Sequence, residues 1–438
     1  MTADVRPGKL WRNWGRSESA RPQLTVRATS VEDVVETVRF AGDRGLRVKA
    51  IGAGHSFSGI AVPDGIQLDV SALDGLYAVE GTRVTLGAGT NLYQLPALLD
   101  PLGLALENMG DIDRQTIAGA TSTGTHGTGH SFAGLANQLV AVTLVTAAGE
   151  LLHVSPTENA ELWPAARLGL GALGILVDVT VECVPSFLLN AVERPEPLDA
   201  VLDDWMTRAG TMDHFEFYWF PHTKTALTKS NSRLPVEAGV KPLSRFGAWV
   251  DDEFMSNHLY RVTNAIGTVI PAIIKPQNAL GERLVAEREF TDVSHRVFAS
   301  SRTVHFKEME YALPREHIPA ALRAIDELIE SRGWRISFPV EVRCAASDDI
   351  WLSTGFGRES GYIAVHRYHR DDPTEYFEGV EAIFRRFEGR PHWGKMHTQD
   401  AAYLSTVYPH HADFVAVRDR LDPERRFTNA YLERVLGS

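Results

Sequence analysis

The sequence predicts an α+β protein with a glycine-rich first domain, a second domain built on a large antiparallel sheet covered by helices, and a C-terminal segment that returns to the first. Three observations predict this. At 438 residues the chain exceeds what one core ordinarily supports, so two domains are expected. A β-α-β pattern over 24–51 runs straight into the glycine-rich turn Gly52–Gly59. From about residue 186 the glycine-rich loops disappear, and Val304–Tyr311, Arg335–Arg343 and Tyr362–His369 alternate as strands of one antiparallel sheet do, with Glu316–Glu330 as a helix over it. The expected divisions are 1–185, 186–410 and 411–438.

The elements follow in order. Leu24–Arg27 reads as a strand, and Ser30 precedes Val31–Ala41 as an N-cap, with Glu32 and Asp33 in the first turn, apolar residues at helical spacing and Gly45 as the stop. Leu46–Ile51 is the next strand. The turn that follows is not the dinucleotide fingerprint, because Phe57 stands where the third glycine belongs. Ile66–Val70 and Arg83–Leu86 read as antiparallel strands around Leu73–Leu76, and Thr90 as the cap of a helix from Asn91 to Leu99. Gly110–Gly129 is a second glycine-rich segment. Its small side chains and many N–H and O–H donors suit a pyrophosphate, though a surface loop has the same composition. Val140–Val145 and Leu151–Val154 form a hairpin. A short helix from Leu162, a glycine turn and a long strand lead to Pro185, and Arg418–Tyr431 is a helix and closing turn.

Composition narrows the function. A net charge of −12 argues against nucleic-acid binding, and 44% hydrophobic with 23% charged residues is ordinary for a soluble enzyme. Two cysteines, Cys183 and Cys344, are too few for a disulfide framework and fit a reducing compartment. Met1–Trp11 has no apolar core of a signal peptide, and Ala265–Ile274, the nearest candidate span, is too short to cross a bilayer. A cytoplasmic location is expected, with peripheral membrane contact left open.

Several side chains carry chemistry. Gly127–Ala136 echoes Gly52–Ala61, so either His55 or His130 is a functional histidine; His55 is preferred because it ends a β-α-β strand. Glu341 and Arg343 sit two apart on a strand, project to one face, and either hold a polyol or lactone through its hydroxyls or form a solvent-face ion pair. His366 and Tyr368 repeat that spacing. In Arg390–His397, Lys395 lies among aromatic and imidazole groups, where an ammonium stabilises negative charge or assists removal of a hydroxyl proton. A metal site from His392, His397, His410 and His411 lacks any helical or finger spacing, and no metal is expected.

Taken together, Gly52–Ser56, Glu107–Asp111, Thr116–Ala120, Thr123–Gly129, Gly171–Ile175, Glu341–Arg343, His392–Lys395 and Asn429–Tyr431 resemble, in order and over nearly the whole chain, the aldonolactone oxidoreductases of the vanillyl-alcohol-oxidase flavoprotein family. The resemblance implies an FAD domain of two α+β subdomains and a cap whose sheet covers the flavin. It implies FAD contacts at Ile51, Gly52, Ala53, Gly54, His55 and Ser56, and again at Gly110, Asp111, Thr116, Gly119, Ala120, Thr123, Gly124, Thr125, His126 and Gly127. Gly174, Ile175, His392 and Lys395 complete that set.

His55 would carry FAD covalently. Glu341, Arg343, His366, Tyr368 and Lys395 would serve the substrate, a sugar-derived 1,4-lactone oxidised at C2 by hydride transfer to an ascorbate-like product. Oxygen or another acceptor would reoxidise the flavin, and Gly110 favours oxygen. Asp111 replaces a serine of the alditol oxidases and favours a lactone over the alternative, an open-chain alditol. A flavin-free sugar-binding protein on the same scaffold is the reading from another class.

Overall fold

The computed structural model describes residues 4–243, 270–284, 286–300 and 304–437. Of the apolar run Ala265–Ile274 only 270–274 fall within these, and Met1–Ala3 lie outside them. Among the described residues no helix is long and apolar enough to cross a membrane.

The β-α-β unit forms as its pattern predicts. Ser30 accepts a hydrogen bond from the Asp33 N–H and caps helix Val31–Gly42. That helix buries Val34, Val38 and Ala41 against Val26, Val48, Ile66 and Leu68 of a four-stranded sheet. Strands Leu24–Arg27 and Val48–Ile51 both run parallel to Ile66–Asp69.

Ile66–Asp69 and Arg83–Gly87 are therefore not the antiparallel partners expected; they belong to different sheets. Arg83–Gly87 pairs instead with Leu76–Glu80, an exposed edge strand of a five-stranded antiparallel sheet that also contains Leu139–Val145, Leu151–Val154 and Ile175–Glu182. Leu76–Glu80 is exposed along its whole length, so it shows no alternation that sequence could register. Nor does Thr90 cap the following helix. Its hydroxyl donates to the Gly87 carbonyl, while Asn91 and Gln94 form a capping box on a short 3-10 turn before helix Leu95–Leu99. Gly110–Gly129 is largely buried and contains helix Ile117–Thr123, capped by Thr116, which excludes the surface-loop reading.

The second domain is an eight-stranded antiparallel sheet. Its order is Arg288–Val293, Leu188–Pro197, Thr225–Leu234, His214–Trp219, Val340–Ala345, Ser360–Tyr368, Phe306–Pro314, Arg390–Pro391. The strand expected from Arg335 starts only at Val340. One face carries Phe215, Phe217, Trp219, Met309, Tyr311, Val340, Val342, Ile363 and Val365, packed against helices Leu198–Asp203, Trp205–Thr211, Ile318–Arg332 and Thr374–Arg386. The two-residue repeat then sends Glu216, Tyr218, Glu308, Glu310, Glu341, Arg343 and His366 to the other face, and registers Glu216↔Arg343, Tyr218↔Glu341 and Glu308↔His366 set them side by side. That face meets the first domain, where His126 stacks on Tyr362 at 3.7 Å. Both faces are covered, so every residue of Val340–Ala345 is buried.

The chain returns to the first core from Ala401. Leu404, Tyr408, Phe414 and Leu432 join Leu106, Ile117 and Leu135 in one apolar cluster. Asn429, 1% exposed, fastens the last helix to the glycine turn: its side-chain amide faces the carbonyls of Gly59, Ile60 and Val62, and its oxygen accepts from the Leu432 N–H. Removing it deletes an N-cap and strands buried carbonyls. Asn429→Ala is expected to lower unfolding free energy by about 2–4 kcal/mol in urea titration, against a few tenths for an exposed polar residue.

Candidate active site

The site is built where the inner face of the large sheet meets the two glycine-rich segments. Gly54 adopts φ +70°, and a Cβ on Gly52 would lie 2.4 Å from Thr116 Oγ1, so the two segments close on each other only because these positions are glycine. Between them lies a cavity of about 120 Å³ lined by Ile51, Gly52, Ala53, Gly54, His55, Ser56, Thr116, Gly119, Thr123 and Gly174. Among the described residues the N–H groups of Ala53–Ser56 donate to no other main-chain group. This run of open donors against a side-chain-free wall fits the diphosphate of a dinucleotide.

Gln115 and Ser122 of the second glycine-rich segment and Gly171 of the Gly171–Ile175 motif share the cavity, and Lys49, which no sequence motif marks, joins them from strand Val48–Ile51. Lys49 is buried and donates to the carbonyls of Phe427 and Gly171, and burial lowers it to about 7. Ala120 and Ile175 face the apolar cores instead. A larger cavity of about 490 Å³ lies beyond Met309 and Met396, on the opposite face of strand Phe306–Pro314 from Glu308 and Glu310, and is no part of this site.

The turn bearing Lys395 docks on the turn bearing His55. The Phe57 N–H donates to the Gly394 carbonyl at 2.6 Å, the Ser58 hydroxyl to the Trp393 carbonyl at 2.7 Å, and the Trp393 ring N–H to Leu352 at 2.7 Å. His55 is half-buried and stacks on Trp14 with ring centres 5.5 Å apart. Burial, then the charges of Arg114, Lys395 and His305, lowers it to about 4, so the ring is neutral near pH 7. His130 sits elsewhere, its Nδ1 2.8 Å from the Met212 carbonyl.

Two polar clusters share the sheet face. Glu341 and Arg343 are a buried pair in direct contact, not a solvent-face one, at 5% and 7% exposure. The guanidinium also meets Glu216 at 3.1 Å and Asp111 of the first domain at 3.3 Å, and Tyr218 donates to Glu341 at 3.0 Å. Against the cost of burial, Glu341, Asp111 and Glu216 hold Arg343 well above its usual range. In the second cluster Lys395 Nζ lies 2.5 Å from Glu308, whose other oxygen is 3.5 Å from His366 Nε2. His366 donates from Nδ1 to the Pro339 carbonyl at 2.9 Å. Tyr368 lies further out, packed with Phe57, Phe306 and Phe338.

Behind Lys395, Glu310 is enclosed by His126 and His392, three groups close enough to bracket an ion. The Gly394 N–H donates to His392 Nδ1 at 3.0 Å, and burial lowers that ring to about 4. Its single proton is therefore on Nε2, which makes it a hydrogen-bond donor and not a metal ligand. His397, His410 and His411 bond separately to Tyr431, Asp413 and Val435. Glu308 and Glu310 escaped the sequence reading, although Glu308-x-Glu310 has the spacing that marked Glu341-x-Arg343.

A nucleotide-binding domain under a cap whose sheet presents polar groups to it is the architecture of FAD-dependent oxidoreductases. Residues 22–155 match the FAD binding domain, and the fold is that of the cholesterol oxidase of B. sterolicum, with a TM-score of 0.81 at 16% identity over 99% of this chain and 97% of that one. Residues 179–435 match D-arabinono-1,4-lactone oxidase, and the chain belongs to this family of FAD enzymes. It is 40% identical to the L-gulono-1,4-lactone dehydrogenase of Mycobacterium tuberculosis over 98% of this chain and 99% of that one. It is 35% identical to the L-gulonolactone oxidase of Bos taurus over 98% of both.

The buried imidazoles set an acid limit. His214 donates from Nδ1 to the Thr128 carbonyl, has no partner on Nε2, and is lowered by burial to about 4, as is His392. Unfolded, each ring titrates near 6.5, so the unfolded chain binds more protons between those values and stability falls as pH drops through the window. Urea midpoints are expected to decrease from pH 7 to pH 4.5 with net proton uptake on unfolding at pH 5. Proton release at that pH would mean these rings are charged in the fold.

Proposed function

We propose that this protein oxidises a sugar-derived 1,4-lactone of the L-gulono or D-arabinono type with FAD as its redox group. The observation that carries the reading is that Arg343, with Asp111, Glu216, Glu341 and Tyr218 around it, and Lys395, with Glu308 and His366, lie on one buried face opposite the His55 turn. Carboxylates bracketing a guanidinium offer both acceptors and donors to vicinal hydroxyls. Their excess negative charge disfavours a carboxylate ligand, which selects the neutral lactone over its ring-opened acid. Bound FAD supplies the hydride acceptor for the substrate C–H. The chain does the rest: Glu341 and Arg343 orient the sugar, His366 receives the hydroxyl proton on its unpartnered Nε2, and the Lys395 ammonium stabilises the negative charge that develops. Loss of hydride and proton at C2 leaves a ketone that tautomerises to an enediol.

The reading extends to a covalent flavin on His55. A neutral ring has the nitrogen lone pair that bonding to the flavin methyl group requires, and burial and neighbouring cations keep His55 neutral. It also includes a cytoplasmic location, which the two free, buried thiols of Cys183 and Cys344 support. Oxygen or another acceptor closes the cycle.

Two measurements test this. Acid-precipitated protein should keep its yellow colour and lose it to the supernatant in His55→Ala but not in His130→Ala; colour retained by His55→Ala would refute the linkage. Under anaerobic conditions L-gulono- or D-arabinono-1,4-lactone should bleach the flavin at least tenfold faster than xylitol, and equal rates would overturn the lactone assignment.

A further inference from the structure

Lys395 can serve a hydroxyl oxidation in two opposite ways: as a free amine that takes the proton, or as an ammonium that never lets its own go. We propose that Glu308 is a positioning residue that locks Lys395 into the second role, so that Lys395 acts as a permanent cation and the substrate proton goes elsewhere. The inference rests on the FAD-enzyme reading above but not on which sugar is bound.

The groups around Lys395 come from every element packed on it. Glu308 and Glu310 project from strand Phe306–Pro314, His366 faces Glu308 from the neighbouring strand, and His392 lies on the same turn. Asp111 comes from the first domain, as does His55 with its neutral ring, and the ammonium sits 5.3 Å from the centre of the Phe57 ring. Three carboxylates thus surround one ammonium. A buried lysine without such neighbours sheds its proton by several pH units; here the carboxylates more than offset burial, and Lys395 is raised while Glu308 is lowered to about 2.

Glu308 is the member in contact, and it has no substitute. Its side chain is 5% exposed, and its second oxygen faces His366 Nε2, a nitrogen with no hydrogen-bond partner. With Nδ1 donating to Pro339, a neutral His366 presents a lone pair at that point. Were Lys395 to surrender its proton, the buried Glu308 anion would lose the one ammonium in contact with it, so the amine form is disfavoured by its neighbour and not by its own chemistry. The proton leaving the substrate then goes to His366 Nε2, which lies on the same carboxylate.

Glu308→Gln keeps the side-chain shape and removes the charge. In the flavin-loaded enzyme it is expected to expose an ionisation between pH 7 and 10 that the wild type lacks. Anaerobic reduction by lactone should stay within about threefold of wild type at pH 6 and then fall about tenfold per pH unit above the new pKa. The midpoint potential of the bound flavin needs no substrate and gives a second readout: its plot against pH should bend downward at the same pH in the variant only. Glu308→Asp, which keeps the charge at a longer reach, should move that ionisation to above pH 9, and Glu308→Gln added to Lys395→Met should change neither readout further. A Glu308→Gln enzyme with wild-type curves, or one slowed equally at every pH, overturns the proposal. If Glu308→Gln does not load flavin, Glu308→Asp carries the test, since a longer reach to Lys395 should bring the ionisation into view above pH 9, and its absence there with turnover lost at every pH counts against the idea. Reduction by no lactone with the potential bend intact would refute the substrate assignment and leave this one standing.

Discussion

A carboxylate taken out of water persists as an anion only beside a positive charge or good donors, and among the described residues the inner face of the eight-stranded sheet buries five: Glu193, Glu216, Glu308, Glu310 and Glu341. Arg288 answers Glu193, Arg343 answers Glu216 and Glu341, and Lys395 answers Glu308, while Glu310 has the His126 ring of the first domain 3.4 Å away. Asp111 crosses the same boundary to Arg343. Docking of the domains and assembly of the site are consequently one event. Separating the domains would leave charges unmatched on both surfaces, which favours the closed arrangement without a large apolar interface at that point.

The histidine-tryptophan-glycine-lysine turn shows how the first domain sets the second's chemistry. Trp393 is fully buried, and its carbonyl accepts from both Ser58 and Tyr431. Gly394 sits in a tight place, since a Cβ there would lie 3.3 Å from the His392 ring and from Ser56 Oγ, and one of them would have to give by a few tenths of an ångström. The position of the Lys395 ammonium is thereby fixed by residues near 57 and 431, far away in sequence. Substitutions at these anchors would move a charge near the flavin without touching any group that reacts.

What was legible in the sequence was whatever leaves a local period. The helix expected at Val31–Ala41 with its Ser30 cap, the strand patterns at Val304–Tyr311 and Tyr362–His369, found as Phe306–Pro314 and Ser360–Tyr368, and the shared face of Glu341 and Arg343 all follow from spacings of 3.6 or 2. Strand partners leave no such trace: neither the pairing of Arg83–Gly87 with Leu76–Glu80 nor the meeting of Glu308 with Lys395 shows in a local period. Lys307-Glu308-Met309-Glu310 reads as a half-solvated strand because polar residues alternate with apolar ones. Only the second domain's contact with the first turns that polar face inward. The motif resemblance supplied what periodicity lacked, ordering the distant segments around a common ligand, yet it too was silent on Lys49 and on the carboxylate beneath Lys395.

The return of residues 401–436 to the first core makes that core discontinuous, with most of the cap between its parts and Leu189, Val297, Ile350 and Leu352 of the cap packed into it. On the ribosome the cap, with its own apolar cluster, emerges and can fold while the earlier half still lacks Leu404, Tyr408, Phe414 and Leu432. The core under the four-stranded sheet takes only Phe427 from the later chain, but the larger core of the first domain cannot close until residues 401–436 arrive. A gene fragment ending near residue 185 would display the unmatched apolar wall and aggregate, so the flavin-binding half is not a portable module.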